Sequence, residues 1–248
     1  MEIQTKSRIR ARLRIYGLEG VALAVLPAVK RGVWCMRTAC GAERRMRQRY
    51  LAAAPSPKLH LGCGQHVLKG WLNADLYPLA RGVLHVDASR RFPFCAATFD
   101  RIYSEHLIEH LTYMQGRGML DECFRVLKPG GRIRISTPDL MFLTDLLSQE
   151  RTELQERYVD WMSRQVEGDV APNGVVVLNH FVRSWGHRFI YDAGVLSEAL
   201  SCAGFSAIVR CEVGKSADPA FQGLENEVRM PEGFLALESM VFEAQRAR

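Results

Sequence analysis

Leu59-His60-Leu61-Gly62-Cys63-Gly64 is the stretch on which the reading of this chain turns. An apolar run ends on two glycines, and glycine lets a backbone turn sharply and approach a ligand closely. Alone the pattern is weak, because Gly-x-Gly turns are common. Its surroundings strengthen it. Trp71-Leu72-Asn73-Ala74-Asp75 reads as a second strand ending on an acid, and Val83-Leu84-His85-Val86-Asp87 as a third, followed by Ala88. A carboxylate at Asp75 can accept two hydrogen bonds from ribose hydroxyls. Asp87-Ala88 is placed to meet an adenine edge. Phe99 to Ser104 reads as a fourth strand, and Met114 to Leu127 as a helix that Lys128-Pro129-Gly130-Gly131 stops. Arg132-Ile133-Arg134-Ile135-Ser136 then alternates like a strand. Strands alternating with helices across short loops indicate a mostly parallel sheet. Open sheets of that kind bind ligands at the carboxyl ends of their strands.

Further along, helical segments fill 139–166, and 167–191 reads as irregular. Asp192 to Ala203 reads as a helix with an acidic cap and a stop at Gly204. Phe205–Val213 and Ala236–Ala244 are the expected last strands. The connection between them, about 214–235, has the length of a functional lid or a flexible segment.

The net charge of +6 is unevenly spread. Residues 1–54 hold twelve Lys/Arg against three Glu, a net +9, whereas the rest of the chain is net −3. The spacing predicts two helices over 7–53, broken near Gly32, and a linker at Ala52 to Pro57. The expected organisation is thus a basic helical arm, 1–54, and a catalytic domain, 55–248. Such an arm suits an anionic membrane surface or an acidic partner, or packs on the body with its basic face solvated. The body itself is not basic, which disfavours a nucleic-acid substrate held across it. Seven cysteines, an odd number without CxxC spacing, suggest neither a disulfide framework nor a zinc site. Free thiols fit a reducing compartment. The apolar run Val21–Val29 is interrupted by Pro27 and is too short to span a bilayer. A cytoplasmic protein is expected, with a peripheral place at the inner membrane surface left open.

At this point the chain resembles the class I S-adenosylmethionine-dependent methyltransferases, closest to the branch with a methyltransferase type 11 domain. The likeness rests on His60-Leu61-Gly62-Cys63-Gly64, on Asp75 and Asp87, on Phe92-Pro93-Phe94 and Phe99-Asp100, and on Arg125-Val126-Leu127-Lys128-Pro129-Gly130-Gly131. Ser104-Glu105-His106-Leu107-Ile108-Glu109-His110 is similar to the subgroup's S-x-H-x-x-E-H segment. The resemblance implies an α/β, Rossmann-like, seven-stranded mostly parallel sheet with helices on both faces. It implies S-adenosyl-L-methionine as cofactor, held by His60, Gly62, Cys63, Gly64, Asp75, Leu76, Asp87, Ala88, Ser104 and Glu105. Two departures stand out. His60 occupies a place often held by an acid. Only eleven positions separate Gly64 from Asp75, so the first crossover helix must be very short or absent, and the methionine end of the pocket is either more open or completed by another segment. The basic arm and the 214–235 loop are the candidates. A nicotinamide fingerprint fits worse, since Val67 stands where its third glycine belongs and the acid arrives too early.

Methyl transfer from a sulfonium to an oxygen benefits from a general base. Histidine titrates near neutrality and suits that role. The candidates are His106 and His110, four apart on one face of a helical segment, and His180 and His187 in the irregular stretch. His106 is favoured. Asp139 would bind substrate or cap a helix, and Trp161, Trp185 and Phe189 would stack on a ring or fill the core. No metal is assigned, because the histidine spacing is not metal-specific. The expected function is methylation of a small-molecule or glycan acceptor at oxygen. The alternatives are an RNA or protein methyltransferase docking through the arm, and a non-catalytic partner subunit of the same fold.

Overall fold

The computed structural model describes residues 41–78, 80–166 and 170–247. The expected arm lies outside the described residues except for its end, helix α1 (Ala42–Ala53). That helix is docked on the body: the Tyr50 hydroxyl donates to the Lys58 carbonyl at 2.9 Å and accepts from the Lys58 amide at 2.8 Å. No helix among the described residues is long and apolar enough to cross a membrane.

Four strands follow: β1 (Lys58–Leu61), β2 (Leu72–Asp75), the two-residue β3 (Leu84–His85) and β4 (Phe99–Glu105). Next come α2 (Tyr113–Val126), β5 (Leu127–Pro138) and the short α3 (Leu140–Asp145). The chain continues with α4 (Glu153–Ser163), α5 (Gly174–Arg183), α6 (Ala193–Cys202), β6 (Phe205–Cys211), α7 (Phe234–Glu238) and β7 (Ser239–Arg246). The strands form one seven-stranded sheet in the order β3-β2-β1-β4-β5-β7-β6. All pairings from β3 to β5 are parallel, and β7 runs antiparallel to both β5 and β6. The expected Rossmann-like sheet is therefore present. Its order reverses between β1 and β4, which opens a crevice at their carboxyl ends.

Alternation along the strands sorts the side chains. Leu59, Leu61, Ile102, Ile133, Ile135, Phe242 and Ala244 point to one face and join the main core with Met119, Leu120, Cys123 and Val126 of α2 and Leu196, Ala199 and Leu200 of α6. Helix α2 begins at a capping box, with Thr112 and Gln115 satisfying each other's amides, and α6 begins at Asp192, whose carboxylate accepts from Val195 N at 2.7 Å. A second cluster joins α3, α4, α5 and α7 through Phe142, Leu143, Tyr158, Val177, Phe181 and Phe234. The Tyr158 hydroxyl donates to Glu238 at 2.6 Å and ties α4 to the end of α7.

The sequence expectation for 167–191 needs correcting. Gly174–Arg183 is an α-helix, capped by Asn173, whose side chain accepts from Val175 N at 2.8 Å. Three successive valines, 175–177, depress helix propensity. Burial of Val177 and Phe181 in the second cluster overrides that penalty. The last strand also starts later than expected, because Phe234–Glu238 forms a helical turn before it.

The connection from β1 to β2 contains no helix, as the short spacing requires. Asn73 holds it instead: its carbonyl oxygen accepts from Leu68 N at 2.8 Å, and its amide donates to the carbonyls of Leu68 and Trp71 at 2.9 and 3.0 Å. The face that a helix would have covered is occupied by the connection between β6 and α7. Fully buried Phe221 packs on Trp71, with ring centroids 6.2 Å apart, and joins Tyr103 in a third cluster. Asp218 pairs with Arg101 of β4. The 214–235 loop is thus fastened to the sheet and is not a free lid.

Candidate active site

Gly62, Gly64, Asp75 and Asp87 lie at the tips of three neighbouring parallel strands. Gly62 and Gly64 have φ of +70° and +50°, a region that side chains rarely enter. A Cβ on Gly62 would stand 2.9 Å from Leu107 Cβ, whereas one on Gly64 would meet nothing within 4 Å. The loop is packed beneath and open above. Gly64 N donates to Asp75 Oδ2 at 2.9 Å, and Tyr77 N donates to Asp75 Oδ1 at 2.7 Å. The Asp75 carboxylate is thereby fixed beside the glycine loop with acceptor capacity to spare. Leu76, next along, is 42 % exposed. Asp87 Oδ1 accepts from Ser89 N and Ser89 Oγ at 2.9 and 2.6 Å, and its Oδ2 meets Arg90 at 3.1 Å. Ala88 is buried in the main core.

His60 and Cys63 are placed differently. His60 is buried on the opposite side of β1, where its Nδ1–H donates to Asn73 Oδ1 at 3.1 Å and its ring lies 5.0 Å from Tyr103. Cys63 is also buried, with its thiol turned to the Gly64 carbonyl. The described cysteines are all free.

Burial pushes the His60 imidazole down to about 4, with the Asn73 hydrogen bond opposing the shift and His66 reinforcing it. The sign follows from linkage. Below its ordinary value of about 6.5 the unfolded chain takes up a proton that the folded chain refuses, so stability falls as pH drops from 6.5 towards 4. Chemical denaturation of the wild type at pH 7 and pH 5 is expected to show about 2 kcal/mol more loss than the same experiment on His60→Gln. Equal losses in the two proteins would contradict this account of His60.

A second set of groups gathers where β4 and β5 end. Ser104 is wholly buried at the tip of β4, opposite Leu61, and its hydroxyl has no partner among the described residues. Glu105 accepts from Asn226 N at 3.0 Å, and His66 lies 3.5 Å from its other oxygen. The 214–235 loop therefore reaches the rim of the cleft. His106 has φ of +46°, an uncommon conformation outside glycine that tends to cluster at functional sites. Its Nε2 lies 2.9 Å from Ser239 Oγ and its Nδ1 3.2 Å from Glu109 Oε1. Glu109 is fully buried, and its Oε2 accepts from Thr137 Oγ1 at 3.1 Å. Burial alone would raise the Glu109 carboxyl, but His106 and then His110 outweigh it and hold the group below its usual value.

His110 and His187 come together, ring centroids 5.0 Å apart, and Glu109 stands with them. Burial lowers the His187 imidazole, against the pull of Glu109. His180 stays apart from this group on α5, bonded to Ser184 Oγ at 3.0 Å and edge-on to Trp185. Asp139 is a helix cap: Oδ1 caps α3, and Oδ2 accepts from Arg210 at 2.8 Å. Trp161 belongs to the helical cluster, Phe189 packs on Tyr113 and Tyr191, and Trp185 is 52 % exposed. Sequence reasoning missed Glu109 as the hub, together with Thr137 and Ser239. Glu109 could have been found, since it sits between two histidines, but Ser239 is 133 positions from His106 and no spacing signals it.

The sequence matches the methyltransferase domain family over residues 71–135. No curated protein matches by sequence. Among solved structures, a S-adenosylmethionine-dependent methyltransferase from Archaeoglobus fulgidus is similar at 13 % identity and a TM-score of 0.46, over 82 % of this chain and 92 % of that one. Another, from Thermotoga maritima, is similar at 16 % identity and a TM-score of 0.45, over 88 % and 97 %. A Haloferax volcanii complex containing the Trm112 methyltransferase activator gives 13 % identity and a TM-score of 0.45, over 87 % and 98 %. The match to the methyltransferase domain family over residues 71–135 lies within a seven-stranded, mostly parallel sheet, and together they give this chain a Rossmann-like methyltransferase fold.

Proposed function

We propose that the protein binds S-adenosylmethionine at the tips of β1, β2 and β3 and transfers its methyl group to an oxygen of a small-molecule or glycan acceptor. One observation carries the reading: the Gly64 amide and the Asp75 carboxylate are locked together at 2.9 Å beside the point where strand order reverses. Asp87 stands at the next strand tip, and the space above Gly64 is open. The residues fit the cofactor in this respect: a backbone that lets a ligand approach, and carboxylates one strand apart for hydroxyl and amine donors.

The bound cofactor supplies an activated methyl group, which leaves the chain's residues to position the acceptor, exclude water and remove a proton. Orientation can lower such a barrier by about 7–11 kcal/mol, and a general base adds about 10²–10⁴-fold. His106 is the base in this reading. The buried Glu109 carboxylate, 3.2 Å from Nδ1 but outside hydrogen-bond geometry, favours a proton on Nδ1 through its charge and so leaves the lone pair on Nε2. Nε2 takes the proton from an acceptor hydroxyl, directly or through Ser239 Oγ at 2.9 Å. Ser239 and Glu109 are positioning residues. The acidic balance of the body favours an uncharged acceptor over a polyanion.

The test is transfer of labelled methyl to fractionated cell extract, followed by His106→Gln on the acceptor so found. The expected result is a kcat lower by about 10²–10⁴-fold with cofactor affinity unchanged. Cofactor binding with no labelled product in any fraction would replace this reading with that of a partner subunit. Label in RNA or protein would move the acceptor class.

A further inference from the structure

We infer that Glu109, His110 and His187 form a binding site for one divalent transition-metal ion of the zinc type. Each offers a ligand atom, and these atoms all lie within 4.8 Å of one another. Two imidazoles and one carboxylate form a donor set that zinc and its neighbours in the first transition row accept, with further positions left for water or substrate. Zinc–nitrogen bonds of about 2.0–2.1 Å place donors roughly 3–3.5 Å apart, so the two rings must draw inwards on binding.

Five details set this cluster apart from a chance meeting of polar groups. Glu109 is wholly buried, and a buried carboxylate requires a cation or close donors. The His187 Nδ1–H donates to the Phe181 carbonyl at 2.7 Å. This fixes the tautomer with the lone pair on Nε2, the second-layer arrangement usual for metal-binding histidines. Thr137 Oγ1 holds one oxygen of Glu109 in the same way. The His110 ring makes no hydrogen bond with any described residue, although it lies against His187. An imidazole so placed is free to bind a metal. The three residues also come from two separate segments, the turn after β4 and the loop after α5, and the loop is brought in by Arg188 N and Phe189 N donating to the Glu109 carbonyl at 2.8 and 3.2 Å. An ion here would clamp that loop to the sheet. Next to His106, it would also lie where an acceptor oxygen could enter its coordination sphere. That use rests on the proposed methyl transfer, whereas the site itself does not.

Cobalt titration of the chelator-treated full chain tests the site without any assay of activity. One cobalt ion per chain is expected, with visible d–d bands of a low-coordinate ion that added zinc abolishes. His110→Gln and His187→Gln, each checked for folding by circular dichroism, are expected to weaken uptake by more than about 100-fold. His180→Gln should bind as the wild type does. Absence of stoichiometric uptake, uptake unchanged in both folded variants, or a thiolate-to-cobalt charge-transfer band would each overturn the proposal. If methyl transfer fails but cobalt binds as described, the site stands and the functional reading falls.

Discussion

Asp75→Ala is expected to weaken S-adenosylmethionine binding by about 10²–10⁴-fold while the protein stays folded. The magnitude follows from two hydrogen bonds between a carboxylate and ribose hydroxyls, each worth about 1.5–3 kcal/mol because the acceptor is charged. Asp75 is partly exposed at the end of β2, so its truncation opens no core cavity. Its loss does free the Gly64 amide, now held at 2.9 Å, and the Tyr77 amide, held at 2.7 Å. Both groups are near solvent and can turn to water, so the cost in stability is small. Asp75→Asn separates charge from size: it keeps the volume but presents an amide, and it should fall between wild type and alanine. Calorimetry gives the affinities, and a thermal melt gives the folding control. Undiminished binding in Asp75→Ala would remove this carboxylate from the cofactor site.

The second large effect is on stability. Arg134→Met is expected to lower the melting temperature by about 10–15 °C. Arg134 is fully buried on β5, on the face opposite the main core. Its guanidinium donates to Glu225 Oε1 at 2.7 Å, Glu225 Oε2 at 3.1 Å and Glu243 Oε1 at 2.6 Å, and to the carbonyls of Lys215 and Glu212 at 3.0 and 3.2 Å. Burial would weaken the guanidinium's hold on its proton, but Glu225 and Glu243 outweigh it and raise the pKa further. Removing the arginine leaves a buried carboxylate uncompensated, which typically costs 3–5 kcal/mol, or about 2–4 °C per kcal/mol in a chain of this size. Glu243 keeps Arg132 at 3.0 Å, so Glu225 is the stranded group. Adding Glu225→Gln should therefore recover part of the loss. The same change loosens the loop that lies on Trp71 and reaches Glu105, so cofactor affinity should fall with it. A melt within a few degrees of wild type would mean that this network does not hold the loop.

How much of this was legible in the sequence depended on whether the signal was local. The glycine loop, Asp75, Asp87 and the Asp192 cap are short-range patterns, and each appears where the spacing put it, whereas Lys128–Gly131, expected as a stop between helix and strand, lies inside β5, which begins at Leu127 directly after α2. The missing first crossover helix was legible too, because eleven positions cannot hold a turn, a helix and a strand. Helix α5 was hidden by its three valines, whose preference yields only when Val177 and Phe181 are buried by distant partners. The 214–235 loop looked free because the groups that fasten it lie far off in sequence: Arg134 is 81 positions from Lys215, Arg101 is 117 from Asp218, and Trp71 is further still from Phe221. Ser239 escaped for the same reason, since a 133-residue contact leaves no periodic trace, whereas Glu109 stood in plain view between two histidines and only its burial was hidden. His60 was read into the cofactor set from its place in the motif, whereas side-chain alternation along β1 carries it to the other face of the sheet, against Asn73.

The central claim is that the tips of β1, β2 and β3 form one cradle for an adenosyl sulfonium. Calorimetric titration of the full chain with S-adenosylmethionine, and separately with S-adenosylhomocysteine, tests it most directly. The account predicts one site per chain for both ligands with a Kd on the order of micromolar. A folded protein that gives no binding with either ligand would contradict it.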